Sequence, residues 1–152
     1  MANSQAIVTS FKVEVLKGIH ALGTTVVRAG TSKDTIKGAL YLASGSLGAG
    51  TTAYSGTSEV SGANYVGGGA TVTNATEPNS SGTTAFWTPS ASLTWAAVTL
   101  STAFDALLLY NDTQAGDPAI GVFTFGSQTI TAGTLTISFP TNDASTGLVR
   151  LA

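Results

Sequence analysis

Cysteine is missing from this chain altogether. That excludes disulfides, thiol nucleophiles, iron–sulfur clusters and every Cys-ligated zinc site. Histidine occurs once, at His20, so a multi-histidine metal centre cannot form. Charge is scarce as well: six Lys/Arg and eight Asp/Glu make up 9% of the residues, against roughly 25% in an average soluble domain. A net charge of -2 leaves too few cations to neutralise a phosphate backbone, so direct binding to nucleic acid is not expected. No apolar run approaches the length of a membrane span. The opening Met1-Ala2-Asn3-Ser4-Gln5 has no basic region leading into an apolar stretch, so no export signal is expected.

In place of charge there are hydroxyls and small side chains. Of 152 residues, 41 are Thr or Ser, 22 are Ala and 18 are Gly. The length suits a single β domain spanning 1–152, large enough to bury a hydrophobic core without staples. An exterior built of neutral hydroxyls keeps copies apart poorly and suits surfaces that meet other subunits. The chemistry of an enzyme is hard to place. Asp34, Glu59, Glu77, Asp105, Asp112, Asp117 and Asp143 are scattered singly through turn-like sequence. A glycosidase-type carboxylate pair would need an aromatic-lined groove, for which two tryptophans and a few tyrosines are thin material. The expectation is no enzyme, no cofactor and no metal. His20, beside Ile19, reads as a packed, hydrogen-bonded histidine.

Residues 9–22 fit two patterns. Thr9 or Ser10 can cap a helix in which Phe11, Val15, Leu16 and Ile19 share a face and Gly18 or Gly23 ends it. Alternation of Phe11, Val13 and Val15 with Lys12 and Glu14 suits a strand, but Leu16 breaks it and favours a helix of about two turns. Residues 24–28 read as a short extended piece, followed by a loop over 29–34. Residues 36–42 read as a strand with Ile36, Leu40 and Leu42 facing inward, and residues 70–73 as a brief one. Residues 74–83, with Pro78, read as turn. Residues 85–88 form a strand stopped by Pro89. Residues 93–100 are extended, with Trp95 and Thr99 on one face and Val98 and Leu100 on the other. Residues 106–110 are apolar on both faces, as in a strand covered on two sides. Residues 120–125, 134–139 and 148–152 complete the set, and in the second of these Leu135, Ile137 and Phe139 alternate strictly with Thr134, Thr136 and Ser138. Seven to nine strands and no βα alternation point to a mainly β fold, a β-sandwich or jelly-roll-like barrel with one short N-terminal helix.

Between the early strands lies a Gly/Ser/Thr-rich loop or arm, residues 44–69, closing on Gly67-Gly68-Gly69. No Gly-Lys-Ser/Thr follows, so it is not a phosphate cradle. A connection this long is commonly a contact element. Its Tyr54, Tyr65 and Val66 are candidate apolar anchors and Glu59 is its one charge. The competing reading folds the arm back over its own sheets. Phe86 and Trp87, ahead of Pro89, are further interface candidates, with core filling as the stronger alternative.

Three stretches carry a family likeness. Ser10-Phe11-Lys12-Val13-Glu14-Val15-Leu16-Lys17-Gly18-Ile19-His20 resembles the opening of small tailed-bacteriophage virion proteins. Gly38-Ala39-Leu40-Tyr41-Leu42-Ala43-Ser44, Thr51-Thr52-Ala53-Tyr54 and Glu59-Val60-Ser61-Gly62-Ala63-Asn64-Tyr65 resemble their middle. Their ending is similar to Ala106-Leu107-Leu108-Leu109-Tyr110-Asn111, Phe125-Gly126, Gly133-Thr134-Leu135-Thr136-Ile137-Ser138-Phe139-Pro140 and Leu148-Val149-Arg150-Leu151-Ala152. The likeness runs in order along nearly the whole chain. It implies a structural protein of the virion, assembled in the host cytoplasm, with no catalytic residues to carry over. The implied roles are capsid cement or decoration, with the major capsid protein or other virion proteins as partners and a homo-oligomer such as a trimer, or a tail or head–tail accessory, fibre anchor or host-glycan adhesin. Neither nucleic acid nor membrane is an expected partner.

The secondary-structure reading is checked by far-ultraviolet circular dichroism. A β-type spectrum with a minor helical contribution is expected, and a helix-dominated one refutes it.

Overall fold

The computed structural model describes residues 2–16, 18–24 and 32–152. Among them are one helix and eight strands in two antiparallel sheets. All but residue 24 of the predicted extended piece at 24–28, and the first half of the loop at 29–34, lie outside the described residues. The larger sheet has the order β1 (Ala6–Ile7), β7 (Ala119–Ile137), β6 (Leu93–Asn111), β2 (Ile36–Leu42), β3 (Ala70–Thr71). The smaller has β4 (Asn79–Ser81), β5 (Thr84–Trp87) and β8 (Val149–Leu151).

The helix α1 spans Thr9–Leu16. It stops where the sequence allows a left-handed residue: Gly18 has φ 69°, its N–H donates to the Val15 carbonyl at 3.0 Å, and the Ile19 N–H donates to the Glu14 carbonyl at 3.0 Å. This crossed pair of bonds closes the helix end, and a side chain at Gly18 would oppose it. Phe11 is buried, whereas Val15, from the expected apolar stripe, is 36% exposed.

Two expected strand pairs are each one long strand. Residues 93–100 and 106–110 belong to the 19-residue β6, and 120–125 and 134–137 to the 19-residue β7. The expected break between 100 and 106 coincides with register shifts between Leu100 and Ala106, and further bulges lie nearer the hairpin turn and along β7. The register slips between Trp95 and Val98, where Ala97 takes φ 50°, and again across from Ala132, at φ 46°. A bulge inserts a residue and turns the following side chains over. Trp95 and Val98 are therefore both buried, not on opposite faces as the alternation suggested. Two side chains pin these kinks. Asn64 Nδ2 donates to the Ala97 carbonyl at 2.9 Å, and Thr99 Oγ1 accepts from the Ala132 N–H at 2.9 Å.

The supposed turn at 74–83 contains β4, whose Ser81 pairs with Thr84 across a hairpin that turns at Gly82. The two-residue β1, unmarked in the sequence, pairs with Gly121 and Val122. In β2, Ile36 and Leu40 are buried as expected, but so are Ala39 and Tyr41, while Leu42 is half-buried. The core runs along β2, the Ala106–Tyr110 stretch of β6 and the start of β7, and takes in Trp87 and Val149 from the smaller sheet.

Gly69 sets the start of β3. It has φ 73°, and a Cβ there would run into the carbonyl oxygen of Gly38 on β2. Gly126 has nothing within 4 Å of the same position. Gly69→Ala is expected to lower unfolding stability by at least about 1–3 kcal/mol, from backbone strain plus the clash. Gly126→Ala should stay within about 0.5 kcal/mol. Urea denaturation of the two variants measures the contrast.

Candidate functional site

The arm's chemistry converges on one carboxylate. Glu59 Oε2 accepts from the Tyr54 hydroxyl at 2.6 Å, while Oε1 accepts from the Tyr65 hydroxyl and the Gly68 N–H, both at 2.8 Å. The remaining two tyrosines of the chain stand in the same shell. Tyr110 donates to the Gly68 carbonyl at 2.7 Å and stacks on Tyr54 with centroids 4.6 Å apart. Tyr41 donates to the Ser55 carbonyl at 2.5 Å. Short hydrogen bonds to an ionised acceptor are the strong kind, and here they hold a glycine-rich loop that has little apolar surface of its own.

This arrangement places the arm along the outer edge of β2, beyond the two residues that β3 covers. Val60 N–H donates to the Leu40 carbonyl at 3.0 Å, Leu42 N–H to the Ser58 carbonyl at 2.9 Å, and Leu40 N–H to the Tyr65 hydroxyl at 2.9 Å. Further on, Ala63 bridges Thr99 of β6 and Ala53 bridges Pro118. Of the residues singled out in the sequence, Tyr54, Glu59 and Tyr65 therefore meet in one cluster and bond within the chain. Val66 stands apart, 75% exposed. Tyr41 and Tyr110 belong to the same cluster. The sequence hid them inside apolar runs, where a phenol reads as core.

Phe86 and Trp87 sit elsewhere, both buried, on β5. The indole N–H of Trp87 lies 3.2 Å from both the Asn74 Oδ1 and the Thr76 carbonyl. With Phe11, Leu22, Pro78 and Val149 they line an apolar cleft of about 190 Å³ between α1 and the smaller sheet, with Val15 and Leu151 at its rim.

His20 is the hinge of a buried polar chain under that cleft. Its Nε2 lies 2.8 Å from Glu14 Oε2, and its Nδ1 lies 3.0 Å from Asn111 Nδ2. The same amide nitrogen donates to Asp34 Oδ2 at 2.7 Å, and Asp34 also accepts from the Ala21 N–H at 2.7 Å. Because the Asn111 amide nitrogen donates, Nδ1 of His20 is the acceptor and Nε2 carries the proton directed at Glu14. The chain ties the segment after α1 to the end of β6. A buried Asp34 unpartnered would be costly, and here it is bonded.

No group of three or more His, Cys, Asp or Glu side chains able to hold a metal ion occurs among the described residues. No helix among them is long and apolar enough to cross a membrane. No protein family, curated protein or solved structure matches this chain.

Burial pushes the hydroxyls of all four tyrosines above their ordinary value, and the charge of Glu59 adds to the effect. Tyr54 is pushed up to about 12, and Tyr41, Tyr65 and Tyr110 lie higher still. A phenol that resists ionisation in the fold stabilises it fully below its unfolded value of about 10 and ceases to do so as pH climbs through the folded one. Spectrophotometric titration is expected to show little tyrosinate at pH 10, then ionisation together with unfolding at higher pH. Glu59→Gln removes the charge and sets an amide N–H against existing donors. It should lower stability by about 1–3 kcal/mol and move tyrosine ionisation to lower pH. Unchanged melting and titration would contradict the hub.

Proposed function

We propose that this protein is a structural component of a tailed-bacteriophage virion, a capsid cement or decoration protein, with its two antiparallel sheets packed as a sandwich. The observation that carries the reading is the surface of the β6–β7 hairpin. Its two 19-residue strands hold one charged residue, Asp105. That carboxylate is engaged by Asn3 Nδ2 at 2.7 Å. What remains exposed is Thr94, Ser101, Thr102, Ser127, Gln128, Thr129, Thr131, Thr134 and Thr136, among alanines and glycines.

Such a face offers hydroxyls and backbone and no ion pairs. It suits contacts that are individually modest and repeated many times over a shell, where multiplicity supplies the strength. The likeness along the sequence to small virion proteins supports the same reading. The polar chemistry of the described residues supports it too, because the Glu59 and His20 clusters are spent on holding the fold together.

Copy number in purified particles tests the proposal. Quantitative gel densitometry against the major capsid protein is expected to give roughly one copy per capsid subunit, or a simple symmetric fraction of that. A handful of copies per particle places the protein in the tail or at the head–tail junction instead. Absence from particles overturns the virion reading altogether.

A further inference from the structure

The two long edges of the larger sheet are treated differently. On the β2 side, β3 and the arm seal the edge with the backbone and tyrosine bonds described above. On the β7 side, β1 pairs with Gly121 and Val122 and then stops. From residue 123 to residue 137, the outer edge of β7 has no strand partner among the described residues. Proteins ordinarily blunt such an edge with lysine, proline or extreme shortness. This edge has no charge and no proline, and its one visible device is the bulge at Ala132. Residues 126–129, 131, 132 and 134 are exposed. Beside it, Phe123, Phe125, Ile137 and Phe139 are half-buried around a cleft of about 310 Å³ that also reaches Leu107 and Leu148.

The geometry points to β7 as a homotypic docking edge: the free run at 123–137 pairs antiparallel with the same run of a second copy about a two-fold axis, joining the two larger sheets. Three features select a second copy as the occupant. Among the described residues, β1, β3, β4 and β8 are two or three residues long and the outer edge of β6 over 93–103 is interrupted by the arm at Ala97 and Thr99, so the unbroken free edge that matches β7 in length is another β7. A strand with no charge brings no like charges together when it meets itself, and it gives a charged partner nothing to recognise. A two-fold contact also covers both free edges at once and closes, where any other pairing leaves one open. Main-chain bonds supply the register, and the half-buried aromatics beside the edge supply apolar area that strand pairing alone lacks. The inference goes beyond the virion reading and does not depend on it.

Sedimentation equilibrium of the full chain tests it. A reversible monomer–dimer equilibrium is expected, with dissociation in the range of about 1–100 µM. Thr129 and Thr131 are exposed and flank the midpoint of the free run, so in a two-fold pair each faces the other's counterpart. The double variant Thr129→Lys/Thr131→Lys should weaken self-association at least about tenfold with an unchanged melting temperature, and Thr129→Glu/Thr131→Glu should do the same. An equimolar mixture of the two should form the mixed dimer. In the wild type, amide exchange over 123–137 should slow as concentration rises, a readout that needs no variant. A wild type still monomeric at about 1 mM overturns the proposal. So does an oligomer indifferent to both double variants, a mixture that stays monomeric, or exchange over 123–137 that does not change with concentration. Particle occupancy of the lysine variant is scored separately, so loss of dimerisation and loss of virion binding are distinguishable.

Discussion

The bonds to the Glu59 carboxylate decide what becomes of the 44–69 arm. A stretch of Gly, Ser, Thr and Ala has little apolar surface with which to offset the entropy of ordering its backbone. Glu59 supplies an alternative, since one charged acceptor gathers two hydroxyls and a backbone N–H. Once Tyr54 and Tyr65 are fixed, Val60 and Ser58 align with β2, and Ala63 and Asn64 reach β6. The edge of the larger sheet is thereby closed from within the chain. Aromatic packing completes the arrangement, with Tyr54 stacked on Tyr110 and Tyr65 tilted against Trp95 at 6.0 Å. The arm's single charge is thus a structural centre, and an arm bonded this way presents Val66 outward and holds its tyrosines in.

The sequence showed the class of fold and the positions of most strands, because alternation and apolar runs are local signals. Residues 36–42 and 134–139 were legible for that reason. The lengths of β6 and β7 were not, because a bulge breaks the alternation just as a strand end does. At Ala96-Ala97 and Ala132-Gly133 small residues mark the kink, and small residues also mark turns. Strand β1 is two residues long and β4 is wholly exposed, so neither carries an apolar pattern. Their pairing comes from neighbours far off in sequence.

The site was legible in part. Tyr54, Glu59 and Tyr65 stood out against the plain composition of the arm, and they do meet. Whether such residues face a partner or their own fold depends on what lies across from them, and that information is held by Tyr41, Tyr110 and Gly68. In the same way His20 read correctly as a bonded histidine, but its partners come from α1 and from the end of β6, 91 residues away for Asn111. Long-range pairs of this kind leave no trace in spacing.

The low charge of the chain links these observations. Charge does two jobs on the surface of an ordinary β protein: it keeps molecules apart and it spoils sheet edges for unwanted pairing. With 9% charged residues, several of them engaged internally, this protein has little left for either task. Asp34 and Glu59 stabilise interior bonds, Glu14 binds His20, and Asp105 holds Asn3. Edges must then be covered by structure. The β2 edge is covered by the arm, at the cost of committing a loop of about a sixth of the chain to the task. The β7 edge has only β1, two residues that start the covering and leave the rest exposed. A chain that closed one edge so thoroughly has the means to close the other, yet along β7 it places threonine, serine and glycine where lysine would have protected the edge. That asymmetry between the two edges is the physical ground for the proposed pairing of β7 with a second copy.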